Sequence, residues 1–185
     1  TCDDSLIGLR DRALLLFAWA SGGRRRSEVV RATMENTRRV EEGFLYTMGS
    51  SKTDQTGAER ADRHKPIVGR AAAALETWLT AASITSGPLF RRVRRGGIVG
   101  EGLSAEAVRK IVQSRAAQAG LQGNYAAHSL RSGFVTEAGR QGLPLGDIMA
   151  MTGHASVASV VGYHRAGAVL SSKAGLLLDA QDDTH

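Results

Sequence analysis

The amino-acid sequence predicts a mainly α-helical domain carrying a small three-stranded antiparallel β-sheet near its start, an α+β class. Three observations carry that expectation. Leu6, Leu9, Ala13, Leu16, Phe17 and Ala20 recur at three- and four-residue steps, the period of an amphipathic helix. Phe44, Tyr46 and Met48 then alternate with Leu45, Thr47 and Gly49, the period of a strand. Helical spacing returns over residues 70–82, 104–119, 128–139 and 145–152.

Each element has a local justification. The first helix is expected to end at Gly22-Gly23, and a short second one to begin near Ser27, with Ser27 as cap and Glu28 favourable in its first turn. Glu41-Glu42-Gly43 reads as one turn of the sheet and residues 52–62 as a longer polar turn. Residues 64–68 form the third strand, and Pro66, which has no N–H to donate, places it at a sheet edge. Ser104 is the expected cap of the next long helix and Gly120 its stop. The Gly- and Arg-rich RRVRRGGIVGEG reads as a loop. Gly153 should end the helix over 145–152, and a last helix, starting near Ser156, carries Tyr163. Val169, Leu170, Leu176, Leu177 and Leu178 make the tail after Gly167 too apolar to stand free, so some surface should bury it.

At 185 residues the chain fits a single domain with a real core. Its 24 Lys and Arg against 18 Asp and Glu give a formal charge of +6, which favours polyanionic partners. Cys2 is the only cysteine, so no intrachain disulfide can form, and a reducing cytoplasm is the expected compartment. The longest apolar stretch, residues 13–20, is too short to span a bilayer, and no signal peptide precedes it. No HExxH, cysteine pair or Gly-Lys-Ser/Thr phosphate loop is present, which argues against zinc, ATP or any other cofactor.

The residues that can carry chemistry follow a fixed order: Arg25 in GGRRRSEVV, Lys52 in GSSKTDQTG, His128 and Arg131 in HSLRSG, His154 in TGHAS, and Tyr163 nine residues beyond His154. A phenol is a poor nucleophile near neutrality, since its ordinary pKa is about 10. It becomes useful where cationic and hydrogen-bonding groups surround the phosphorus it attacks. Arginine suits that role because its planar fork donates two hydrogen bonds to phosphate oxygens and keeps its charge. His128 and Arg131 are three apart and share a helix face. Of the other tyrosines, Tyr46 falls in the strand alternation and Tyr125 lies three residues before His128.

This order and these motifs resemble the catalytic domain of tyrosine recombinases, the phage integrase family, from about Leu14 to the tail. The family's first arginine precedes a small polar residue by two positions and an acid by three, which assigns Arg25 with Glu28 in support. The family places an apolar residue before that arginine, whereas Arg24 stands here, so a register shifted by one stays open. Its lysine sits in the turn between the second and third strands. Lys52 matches, with Lys65 as the fallback. The His-x-x-Arg maps onto His128 and Arg131, the Gly-His onto Gly153 and His154, and the nucleophile onto Tyr163.

The resemblance implies a site-specific recombinase or integrase of a mobile element, with the family's DNA-breaking-rejoining fold. Tyr163 attacks a phosphodiester to form a 3′-phosphotyrosine, without metal or ATP. Arg25 and Arg131 stabilise the phosphorane, His128 and His154 donate hydrogen bonds or assist proton transfer, and Lys52 protonates the departing 5′-oxygen. It also implies double-stranded DNA as partner, other recombinase protomers in a tetramer on that DNA, and action in the cytoplasm on chromosomal, plasmid or phage DNA. Residues 1–185 are expected to be the catalytic domain alone, with 167–185 as its C-terminal tail and the family's N-terminal core-binding domain outside this chain. A type IB topoisomerase-like enzyme is one alternative, although its counterpart of His128 is generally lysine. A catalytically inactive DNA-binding module is the other, although binding alone does not require Tyr163.

Overall fold

The computed structural model describes residues 1–49, 63–123, 125, 127–154 and 156–168, without the side chains at 127, 128, 159 and 168. Helix α1 (Leu6–Ala20) is capped by Ser5, whose Oγ accepts the Gly8 N–H at 3.1 Å. It ends where expected: Gly22 and Gly23 turn the chain at φ +93° and +69°, conformations that glycine adopts without strain. The buried face is broader than the periodicity indicated, because Leu14 and Ala18 are also fully enclosed. Helix α2 (Arg26–Val29) follows, with Arg25 rather than Ser27 at its cap. The Arg25 N–H is met from within the helix by the Glu28 carboxylate, so Ser27 is not needed there.

The sheet is antiparallel in the order β1 (Thr37–Val40), β2 (Gly43–Thr47), β3 (His64–Val68). Phe44 pairs with Ile67 and Tyr46 with Lys65, so these four side chains share the buried face. Pro66 does stand on an edge strand. Residues 50–62, which include the expected polar turn and Lys52, lie outside the described residues.

Helix α3 (Gly69–Ala81) lays Ala71, Leu75 and Trp78 against α1. Trp78 is fully buried, and its indole N–H reaches the Leu89 carbonyl at 2.8 Å. Phe17 sits edge-on to both Tyr46 and Phe90, with ring centroids 5.1 and 5.4 Å away. The Arg-rich stretch expected as a loop is instead a hairpin of β4 (Arg91–Val93) and β5 (Val99–Gly102). Gly96 and Gly97, at φ +82° and +78°, reverse the chain between them.

Ser104 caps α4 (Ala105–Gln118), its Oγ accepting the Ala107 N–H at 3.1 Å, and Gly120 follows at φ +72°. Buried Asp11 ties α1 to α4, accepting from Arg10 Nη2 at 2.7 Å and Arg115 Nη2 at 2.8 Å.

Three further helices, α5 (Ala127–Arg140), α6 (Leu145–Thr152) and α7 (Ala158–Ala168), enclose a second, smaller core of Val135, Ala138, Ile148 and Val160. Two glycines let α5 and α7 touch backbone to backbone. A Cβ at Gly139 would overlap the His164 carbonyl, and one at Gly167 would overlap the Thr136 carbonyl. Gly167→Ala is therefore expected to lower stability by about 1–3 kcal/mol through overpacking. Gly162→Ala on the same helix meets nothing within 4 Å among the described residues, and should instead stabilise by about 0.5–1 kcal/mol through helix propensity. Denaturant midpoints of the two variants, measured side by side, check both signs.

Candidate active site

The site is built where three segments meet behind the Gly22-Gly23 turn. A Cβ on Gly23 would run into the Arg131 Cα, and one on Gly22 into the Met151 carbonyl, so α5 and the end of α6 both rest against the bare turn. Arg25 is two residues beyond it. Its N–H donates to Glu28 Oε2 at 3.0 Å, and its guanidinium, 64% exposed at the side chain, lies 3.9 Å from Glu28 Oε1. Arg24 points the other way. It is wholly buried, donates from Nη2 to the Met151 carbonyl at 2.6 Å, and keeps Nη1 3.7 Å from Glu28 Oε2. Of Arg24 and Arg25, only Arg25 offers its guanidinium to solvent.

Arg131 stands one turn beyond His128 on α5 and is 3% exposed. Its Nε donates to His154 Nε2 at 3.2 Å, while its Nη1 is buried with no hydrogen-bond partner among the described residues. Burial, reinforced by the nearby Arg24 charge, lowers its pKa to about 10 despite the opposing pull of Glu28. The guanidinium is still charged at neutral pH. With Arg24, Arg25 and Arg131 near Glu28, the described residues of the site carry excess positive charge, an arrangement that an anion relieves.

His154 follows the C-cap Gly153, which ends α6 in the left-handed conformation at φ +69°. Thr152 holds its ring from behind, with Oγ1 2.7 Å from Nδ1. That hydroxyl has one proton, and gives it to the Ile148 carbonyl at 2.9 Å. It can therefore only accept from Nδ1–H, which leaves Nε2 as the lone pair facing Arg131 Nε–H. Sequence reasoning passed over Thr152, although its position two before His154 in TGH was the available signal.

The three tyrosines differ sharply. Tyr46 is 2% exposed beneath the site, and its hydroxyl reaches the Glu28 carbonyl at 3.5 Å. Burial raises its pKa, the opposite of what a nucleophile needs. Tyr125 is half-buried beside an apolar cavity lined by Leu16, Trp19 and Leu130. Tyr163, on α7, is 44% exposed. Arg25, Glu28, Arg131 and His154 are thus brought together. Tyr163 is carried by the helix packed on α5, and His128 lies in the first turn of α5 with its side chain outside the description.

The sequence pattern of the phage integrase family matches residues 1–168. The chain belongs to that family. A xerD homologue described as an integrase/recombinase, from Selenomonas ruminantium, is 35% identical over 177 residues, covering 93% of this chain and 52% of that protein. The tyrosine recombinase XerD of Listeria innocua is 29% identical over 163 residues, covering 85% and 50%. This phage integrase family member therefore spans about half the length of the curated relatives it matches. Its fold is that of XerH recombinase, solved in a post-cleavage complex with its difH substrate, at a TM-score of 0.68 and 17% identity over 96% of this chain and 48% of that one. XerA recombinase aligns at 0.65 and 22% identity, over 91% and 57%.

In its neutral form, His154 is expected to carry its proton on Nδ1. Long-range nitrogen–proton NMR correlations of the imidazole check this. A protonated Nε2 on the neutral ring would overturn the Thr152 assignment.

Proposed function

We propose that residues 1–185 are the catalytic domain of a site-specific DNA recombinase that cleaves and rejoins strands through a 3′-phosphotyrosine. The observation that carries this reading is the junction of the Arg25–Glu28 turn with the Arg131–His154 pair. Family membership and the DNA complex of XerH support it.

In the proposed step, Tyr163 Oη attacks the scissile phosphorus, the bond to the 5′-oxygen breaks, and a phosphotyrosine bond forms in its place. The exposed Arg25 and the partly unsatisfied Arg131 hold the non-bridging oxygens as charge builds on them. His154, oriented by Thr152, and His128 supply hydrogen bonds or relay the phenol proton. Lys52 gives a proton to the departing 5′-oxygen. Because the phosphotyrosine conserves the energy of the phosphodiester, attack by a 5′-hydroxyl reverses the step without a nucleotide.

The net charge of +6 favours the DNA backbone. Among the described residues no helix is long and apolar enough to cross a membrane. We place the activity in the cytoplasm on double-stranded DNA, with further protomers joining as a tetramer there.

Tyr163→Phe should abolish covalent adduct on a suicide substrate while DNA binding persists, because one hydroxyl is removed and no charge changes. Adduct formed by Tyr163→Phe but lost in Tyr125→Phe would move the nucleophile to Tyr125. Lys52→Ala should fail on ordinary DNA and recover on a substrate with sulfur at the bridging 5′ position, whose leaving group needs no proton. Equal impairment on the two substrates would make Lys52 a phosphate ligand instead.

A further inference from the structure

Two buried cations have no place in the mechanism above. Arg24 is fully buried and Lys65, on the inner face of β3, is 1% exposed. Desolvating either charge costs several kcal/mol unless it is well satisfied, and an apolar side chain would fill each space without that cost. Arg24 even leaves its Nε without a partner among the described residues. Both converge on one feature, the end of α6. The last four carbonyls of a helix have no partner within it. In α6 the Met149 carbonyl takes the Gly153 N–H at 2.8 Å, the Ala150 carbonyl takes Lys65 Nζ, and the Met151 carbonyl takes Arg24 Nη2 at 2.6 Å. Cations at this end also meet the negative pole of the helix.

From this convergence we infer that Arg24 and Lys65 are positioning residues. Together they clamp the C-terminal carbonyls of α6 to the Gly22-Gly23 turn and the sheet, and so fix the Gly153 turn that delivers His154 to Arg131. With only two turns, α6 has little rigidity of its own. Its anchors come from two separate segments: the Arg24 N–H is held by the Ala18 carbonyl at 2.8 Å, and Lys65 pairs with Tyr46 across the sheet. This gives Lys65 a role distinct from that of a general acid, since its ammonium donates to the Ala150 carbonyl at the end of α6. The catalytic consequence rests on the recombinase reading, whereas the clamp itself does not.

The test pairs Lys65→Met with Lys65→Arg and Arg24→Met with Arg24→Lys, and reads two quantities. Amide exchange of Gly153 reports the clamp without any activity, and both Met variants should speed it about tenfold or more as the end of α6 opens locally. Adduct formation at saturating suicide DNA reports its use. It should fall about 10- to 100-fold in the Met variants, with the half-saturating DNA concentration unchanged, because the loss is one of orientation. The cationic replacements should recover most of both. Unchanged Gly153 exchange in the Met variants overturns the clamp. A loss of DNA affinity as large as the loss of rate would make these residues phosphate ligands. Rescue of Lys65→Met by the 5′-sulfur substrate would make Lys65 the general acid. If Lys65→Met fails to fold, the Arg24 pair carries the same readouts. If the unaltered protein forms no adduct, the recombinase reading falls while Gly153 exchange still decides the clamp.

Discussion

The site depends on one steric constraint, the bare backbone of Gly22 and Gly23. At φ +93° and +69° the two residues send the chain from the end of α1 straight into the Arg25 turn. Having no Cβ, they also let the Arg131 Cα and the Met151 carbonyl close onto that turn. A methyl group at either position would separate the first arginine from the second, and the histidine from both. The geometry of the charged groups is therefore set by two residues with no functional group at all.

That closeness has an electrostatic cost. Among the described residues Arg24, Arg25 and Arg131 lie near one acid, Glu28, and burial together with the Arg24 charge lowers the pKa of Arg131. Such a cluster persists because the fold around it is over-determined. The larger core, built on α1, α3 and the sheet, buries Phe17, Tyr46, Leu75 and Trp78 in continuous contact. Each fully enclosed aliphatic or aromatic side chain contributes roughly 1.5–3 kcal/mol, enough in aggregate to hold like charges together.

Most elements were legible because their signals are local. Ser104 and Gly120 bracket α4, Gly153 stops α6, and the alternation of Phe44, Tyr46 and Met48 marks β2. The hairpin over residues 91–102 was not, because its arginines read as solvated loop although Gly96-Gly97 is a turn signal. The order of Arg25, Arg131 and His154 could be read from motifs, and the structure places these residues beside one another. The functions of Arg24 and Lys65 could not. Whether a cation faces solvent or a helix end depends on contacts made by residues more than eighty positions away, and no window of sequence holds that information.

The two cores also divide the labour of the site unequally. Arg25 and Glu28 are fixed to the larger core, whereas α7, which carries Tyr163, packs through the smaller cluster that among the described residues holds Val135, Ala138, Ile148 and Val160, and through the glycine contacts with α5. The proposed covalent phosphoryl transfer would ask different things of the two parts. The groups that stabilise charge must be in place before reaction, because reorganising them during it would forfeit their advantage. In the proposed reaction Tyr163 has a different requirement, since it would approach phosphorus, form a bond and later leave. Under that reading Arg25, Arg131 and His154 form the charged platform around the Gly22-Gly23 turn, and Tyr163 is presented at the exposed face of α7, which packs on α5.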